Sequence, residues 1–168
     1  FLGLGSNLPS KNGDRFTNIN IAISFLEAYG IKVIKKSSFY ETPSYPNKKN
    51  PKFINAVILV ETILPPIDLM SVLIFIEEKL GRKRSKKNDP RTCDIDIIDY
   101  NSKILNLKYN NLDLTVPHKK LSTRNFILFP LHEISPMWKH PKTKENISVL
   151  VKKLSEEDKN TILKVDES

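Results

Sequence analysis

The stretch from Gly81 to Tyr100, Gly-Arg-Lys-Arg-Ser-Lys-Lys-Asn-Asp-Pro-Arg-Thr-Cys-Asp-Ile-Asp-Ile-Ile-Asp-Tyr, constrains the chain more than any other. It starts as a run of cations and ends in strict alternation: Cys93, Ile95 and Ile97 are apolar, and Asp94 and Asp96 fall between them. Period two predicts a strand with its apolar side inward and both carboxylates on the opposite face. Residues two apart on such a face stand about 6–7 Å from one another. At an effective dielectric of about 20, two like charges at that distance repel by roughly 2.4 kcal/mol. A raised pKa or rotation into water relieves that repulsion. So does a pair of divalent cations, and Mg²⁺ takes one or two carboxylates together with substrate phosphates.

Arg82, Lys83, Arg84, Lys86, Lys87 and Arg91 crowd the segment before the strand, offset by Asp89 and broken by Pro90. Such a loop suits a polyphosphate, because guanidinium groups bind phosphate oxygens bidentately and lysines act as point charges. The same pattern also describes a solvated basic loop before a strand with one wet face, a common arrangement in antiparallel sheets. On these residues alone both readings stand.

A chain of 168 residues that is 39% apolar suits one domain with a substantial core. The net charge of +8 favours an anionic partner, but most of the lysines are scattered and serve solubility. The single cysteine, Cys93, excludes a disulfide framework and suits a reducing compartment, so a cytoplasmic location is expected. No apolar run approaches the ~18 residues of a membrane span, and neither a membrane nor a nucleic-acid partner is expected. The first residues, Phe-Leu-Gly-Leu-Gly, read as already inside a strand. Residues upstream are therefore expected, and targeting stays open.

Phe1 to Leu4 reads as a strand leading into Gly5-Ser6-Asn7, and Ile19, Ala22, Ile23 and Leu26 mark a helix that Gly30 ends. Ile31 to Tyr40 is expected as one strand, followed by an irregular loop through Thr42, Pro43 and Tyr45. Phe53 to Thr62 is the strongest strand in the chain. Pro65 and Pro66 open a second helix whose buried stripe is Leu69, Val72, Leu73, Ile76 and Leu80, closed by Gly81. A return strand is expected over Lys103 to Leu105, an extended piece over Leu114 to His118, and helices at Asn125 to His132 and Ile147 to Leu154. Residues 1–154 then form one domain, and the charged 155–168 segment reads as a tail or linker. No repeats, dinucleotide fingerprint or phosphate-loop motif occur, and the class is α+β with a mainly antiparallel sheet.

Phe53 and Asn55 share a strand face, where a ring can stack on a flat heterocycle while the amide reads its edge. Core packing and strand capping explain the same two residues. His118 follows Val-Pro, and Arg124 and Phe126 stand two apart. Each of these singly fits an ordinary structural role, and a solvated helical position is the default for Glu77.

Their arrangement carries more. Gly-Ser-Asn at 5–7, Ser-Ser-Phe-Tyr-Glu-Thr-Pro at 37–43, Phe-Ile-Asn-Ala at 53–56, Glu77, Pro-Arg-Thr-Cys-Asp-Ile-Asp-Ile at 90–97, and Thr-Val-Pro-His with Arg124 and Phe126 occur in this order. Over residues 1–150 the chain resembles the 6-hydroxymethyl-7,8-dihydropterin pyrophosphokinases of folate synthesis. The resemblance implies a ferredoxin-like α+β fold, with a mainly antiparallel sheet and helices on both faces. It implies transfer of pyrophosphate from ATP to the pterin hydroxymethyl group, with AMP released. Carried over by position, Asp94 and Asp96 hold two Mg²⁺, and Arg82 and Arg91 join them as catalytic residues. ATP would meet Glu77, Arg82, Arg84, Arg91, Thr115, His118 and Arg124. The pterin would meet Thr42, Pro43, Tyr45, Phe53, Asn55 and Phe126, and the loops at 44–52 and 82–90 would close over the substrates. Family members occur alone or fused to dihydropteroate synthase, and both arrangements suit this chain.

Three positions depart from the family pattern: Asn88-Asp89 replaces an aromatic residue and Gly, Asp113 stands where some relatives have Arg, and Lys119 follows Val-Pro-His. A working enzyme with a differently built lid is expected. Two alternative readings fit the sequence less well. A nucleotidyltransferase needs Gly-Ser close before Asp-x-Asp, whereas Gly5-Ser6 is almost ninety residues upstream. A basic RNA-binding α+β module would carry paired aromatic motifs that this sequence lacks.

Overall fold

The computed structural model describes residues 1–83 and 89–167. Strand β1 (Leu2–Ser6) leads into α1 (Arg15–Ala28), and β2 (Lys32–Lys36), β3 (Phe39–Thr42) and β4 (Phe53–Glu61) follow. Helix α2 (Pro66–Lys79), β5 (Asp94–Ile97) and the hairpin β6 (Leu105–Tyr109) and β7 (Leu112–Val116) come next. The chain continues through α3 (Asn125–Ile134), α4 (Ile147–Lys153), α5 (Glu156–Asn160) and β8 (Leu163–Val165). The main sheet runs β5-β1-β4-β3-β8, with β2 on the far half of β4, and among the described residues its pairings are antiparallel. Taken as β1-α1-β3-β4-α2-β5, this is the βαββαβ order of a ferredoxin-like fold.

Two apolar layers clamp the sheet. On one face Leu2, Leu4, Ile54, Ala56, Ile58, Ile95 and Ile97 meet the stripes of α1 and α2, led by Ile19, Leu26, Leu69 and Leu73. On the other, Val57 and Ile98 meet Ile127, Leu128 and Leu131 of α3 and Ile147 and Leu150 of α4. The period-two pattern of β4 thus feeds both layers, as helices on both faces require. Asp14 caps α1 by accepting from Thr17 N at 2.8 Å. Gly30 (φ 77°) and Gly81 (φ 84°) end α1 and α2 in the left-handed region that glycine enters freely. Among the described residues no helix is long and apolar enough to cross a membrane.

Three expectations are corrected. The strand expected over Ile31 to Tyr40 is two strands, because buried Ser37 intervenes: its N–H donates to Val57 O (2.9 Å) and its hydroxyl accepts from Val57 N (3.0 Å). The return strand begins at Leu105 rather than Lys103, and with β7 it forms a separate two-stranded sheet. The 155–168 segment, expected as a tail or linker, carries a helix and a strand within 156–165. Helix α5 is capped by Ser155, and β8 pairs with β3 through Tyr40↔Lys164. Glu133 fastens this edge, accepting from Tyr40 Oη (2.6 Å) and Ser38 Oγ (2.8 Å) and facing Lys164 Nζ at 3.6 Å.

Candidate active site

Strands β5, β1 and β4 lie side by side and build the floor. Asp94 stands opposite Gly5 and Gly5 opposite Asn55; Asp96 stands opposite Gly3 and Gly3 opposite Val57. Directly paired residues project from the same face of a sheet. Both carboxylates therefore share a face with Asn55, and the strand between them offers no side chain there. A Cβ on Gly3 would lie 2.7 Å from Ile127 Cδ1, so that position is closed by α3 packing. On Gly5 the nearest atoms would be Asn55 Oδ1 and Phe53 Cδ1 at 3.5 Å, ordinary contact, so packing does not dictate the glycine there. It leaves an open stretch of floor between the carboxylates and the Phe53-Asn55 pair.

Guanidinium groups surround the two carboxylates. Arg82 Nη1 lies 2.5 Å from Asp94 Oδ1 and 2.7 Å from Glu77 Oε1, while Arg91 Nε lies 3.6 Å from Asp94 Oδ2. Arg124 Nη1 lies 3.5 Å from Asp96 Oδ2. The Arg91 and Arg124 guanidiniums also sit over the rings of Phe53 (5.4 Å) and Phe126 (5.6 Å), so each couples an acidic residue to an aromatic one. Lys120 N donates to His118 Nδ1 at 3.0 Å, which places the neutral ring's proton on Nε2, 3.2 Å from Arg124 Nη2.

Strand β5 is the edge of the sheet, and a cleft of about 600 Å³ runs along it between α2 and the β6-β7 hairpin. Asp94, Asp96, Arg82, Thr115 and His118 line it beside apolar Leu73 and Leu114. Lys119 and Asp113, two departures from the family pattern, also face this cleft. Glu77 lines it but is only 3% exposed, and Oε1 accepts from Ile95 N at 2.7 Å as well as holding Arg82. It anchors β5 and Arg82, a role that a solvated helical glutamate would not have. Asn55 is buried, and its Nδ2 donates to Tyr40 O (3.2 Å) and Thr42 Oγ1 (3.0 Å), which leaves Oδ1 toward Gly5. Thr42 thus supports Asn55. Pro43 is half-buried on the same loop, whereas Tyr45 is 80% exposed. Arg84, Lys86, Lys87 and Asn88 lie outside the described residues.

Burial and the Asp94 charge push the Asp96 carboxyl up to about 6, against the opposing pull of Arg124, Arg82 and Arg91. Since 53% of the side chain still meets water, screening trims this shift and leaves its sign unchanged. The native chain holds this proton more tightly than the unfolded chain, whose pKa is the ordinary 3.8. The associated stability is full below about pH 4 and is lost as pH rises through about 6. In the ligand-free chain the Asp96 carboxyl carbon is therefore expected to titrate by NMR above its ordinary 3.8, toward pH 6. A midpoint at or below 4 contradicts the crowded-pair geometry.

Three contributors were missed in the sequence. Gly3 and Gly5 clear the floor, and their signal was glycine at alternate positions of an apolar strand. Asn7, 1% exposed, binds Arg91 N through Oδ1 at 2.7 Å. Nothing in Gly-Ser-Asn marks that long-range bond.

A sequence-family model described as 7,8-dihydro-6-hydroxymethylpterin-pyrophosphokinase (HPPK) matches residues 1–136. The folic acid synthesis protein fol1 of Pneumocystis carinii is 37% identical over 163 residues, covering 97% of this chain and 21% of that protein. The chain thus spans about a fifth of that fungal relative and of the one from Schizosaccharomyces pombe, where the share is 20%. The 2-amino-4-hydroxy-6-hydroxymethyldihydropteridine pyrophosphokinase of Aquifex aeolicus is 37% identical over 141 residues, covering 84% of this chain and 82% of that one. In fold, the wild-type Plasmodium falciparum HPPK-DHPS crystal structure superposes with a TM-score of 0.72 over 90% of this chain and 44% of that chain, at 19% identity. With that family model matching residues 1–136 and the Aquifex aeolicus relative 37% identical over 82% of its length, the chain belongs to the 7,8-dihydro-6-hydroxymethylpterin-pyrophosphokinase family.

Proposed function

We propose that the chain transfers the terminal pyrophosphate of ATP to the hydroxymethyl oxygen of 6-hydroxymethyl-7,8-dihydropterin, releasing AMP. The observation that carries this reading is the division of one sheet face by Asp94 and Asp96. On one side lies the arginine-lined cleft, on the other the Gly5 floor with Phe53 and Asn55. A triphosphate and a flat heterocycle placed on the two sides meet at the carboxylates.

The nucleotide takes the cleft, with Thr115, His118 and Arg124 on its phosphates and ribose and with Arg84 supplied by the basic loop. The pterin stacks with Phe53 and Phe126, and Asn55 Oδ1, left free by the commitment of Nδ2, accepts from its edge. The hydroxymethyl oxygen attacks the β-phosphorus and the α–β bridge breaks, leaving AMP. Such transfers depend on positioning and charge stabilisation more than on a protein nucleophile. Arg82 and Arg91 meet the charge that develops on the transferred group.

Asp94 and Asp96 would hold the two Mg²⁺ of the reaction. Two features of the chain fit that ion. Burial and the charge of Asp94 leave Asp96 protonated more readily than usual, a penalty that a cation reverses. Arg91 Nε is buried without a hydrogen-bond partner beside Asp94, an N–H that awaits an acceptor such as phosphate. Among the described residues no group of three or more His, Cys, Asp or Glu side chains is placed to hold a metal, so phosphate and water must complete the shell. That division is typical of Mg²⁺, which when bound neutralises phosphate charge and activates the attacking oxygen. Cys93, a buried free thiol, fits a reducing, cytoplasmic setting.

Incubation with ATP, Mg²⁺ and the pterin tests the reading. One AMP is expected for each pterin diphosphate. Pyrophosphate release would point instead to nucleotidyl transfer, and retention of RNA without turnover to a binding module.

A further inference from the structure

Asn125, the first residue of α3, is 8% exposed and stands between two residues of the site. One is Arg124, 3.5 Å from Asp96, and the other is Phe126. The Asn125 Nδ2 donates to Asp158 O, in α5, at 2.7 Å. The amide orientation follows from the partner, since a carbonyl only accepts.

The acceptor is itself held in place. Ser155 Oγ accepts from Asp158 N at 3.1 Å and donates to Asp158 Oδ2 at 2.7 Å. Before α5, Leu154 is buried in the apolar layer of α3 and α4, and after it Ile162 is buried as well. The chain then enters β8, which pairs with β3 through Phe39↔Val165 and Tyr40↔Lys164. Strand β3 in turn pairs with β4 through Tyr40↔Asn55 and Thr42↔Phe53. One short segment is thus joined to Phe126 through Asn125 and to Phe53 through two successive strand pairings. Strand β8 lies at the opposite edge of the sheet from β5, away from the arginine-lined cleft. Arg124 is held from the cleft side by His118 and Asp96.

We infer that Asn125 is a positioning residue for the pterin: its bond to Asp158 fixes how far the Phe126 ring stands from the Phe53 ring. The inference rests on the reading of those two rings as the walls of the pterin slot. A flat heterocycle stacked on both faces needs two carbon contacts of about 3.5–4 Å, and a drift of about 0.5–1 Å forfeits about a quarter to a half of such a contact. A start of α3 anchored to the α5–β8 segment prevents that drift before the heterocycle arrives.

Asn125→Leu keeps the length and branching of the side chain and removes the donor. Asn125→Asp also removes the donor but adds a charge, one that suits the first turn of a helix. Agreement between the two therefore assigns the effect to the Nδ2–H. Wild type and variants are saturated with Mg²⁺ and a non-hydrolysable ATP analogue, and the Kd of 6-hydroxymethyl-7,8-dihydropterin is read by calorimetry. In both variants it is expected to rise by about tenfold, the scale of one lost buried hydrogen bond. The Kd of the ATP analogue is expected to stay within about twofold. Unchanged pterin affinity, a rise confined to Asn125→Asp, or equal weakening of pterin and nucleotide would each overturn the inference, the last because it reports a general loss of structure. If one variant fails to fold, the same two constants from the other decide. A wild-type chain that binds the analogue but never the pterin would overturn the functional reading, and the inference with it.

Discussion

Asp96→Ala is expected to lower AMP formation by at least about a thousandfold while leaving the thermal midpoint of the ligand-free chain unchanged or slightly raised. The two halves of this expectation have separate physical origins. Asp96 projects from the wet face of β5 with 53% of its side chain accessible, so its removal opens no cavity among Ile95, Ile97 and their partners. It also removes the repulsion with Asp94 that helps push its carboxyl up to about 6. The ion pair with Arg124, at 3.5 Å and partly exposed, returns little in exchange. Activity has no such compensation, because one carboxylate cannot hold the charge that two present to the triphosphate. Turnover and a melting curve on the same preparation check both halves. Substantial turnover contradicts the metal assignment, and a large drop in the midpoint contradicts the placement of Asp96 outside the core.

Arg82→Ala is expected to fail in both respects. Its guanidinium, with 15% of its side chain accessible, joins Glu77 at 2.7 Å to Asp94 at 2.5 Å. Truncation strands the Glu77 carboxylate, whose side chain is 4% accessible, with Ile95 N–H among its remaining partners. Removing one partner of a buried ion pair costs about 3 kcal/mol, or about 6–12 °C in the midpoint of a chain this long. Adding Glu77→Gln should return part of that stability, since a neutral amide is cheaper to bury, yet leave turnover low. Recovery of both together would make Arg82 a purely structural residue. A midpoint unchanged in Arg82→Ala would mean that Glu77 finds another partner.

Much of this fold was legible because it is local. Alternation over 93–97 named the face of Asp94 and Asp96, and the stripe from Leu69 to Leu80 named the buried side of α2. That stripe also held the clue to Glu77, which lies four residues after Leu73 and three before Leu80 and so had to enter the core side. The default for a helical glutamate obscured it. What stayed hidden depends on contacts distant in sequence. Ser37 splits β2 from β3 only because Val57 is there, its carbonyl accepting from Ser37 N and its N–H donating to the Ser37 hydroxyl. Strand β8 is three residues in a charged segment, too short to show a period, and exists because β3 and Glu133 receive it. Asn7 follows the same rule, since its partners at 44, 51 and 91 are far along the chain. The paired acids, the arginines and the Phe53-Asn55 pair were readable as residues, but only the β5-β1-β4 register brings them to one floor.

The most direct test is a crystal structure with a non-hydrolysable ATP analogue and Mn²⁺, a Mg²⁺ surrogate whose anomalous scattering identifies it. Two anomalous peaks are expected between the triphosphate and the carboxylates of Asp94 and Asp96, with both side chains turned toward them. A triphosphate bound elsewhere, or a cleft holding nucleotide with no peak at that pair, would contradict the assignment.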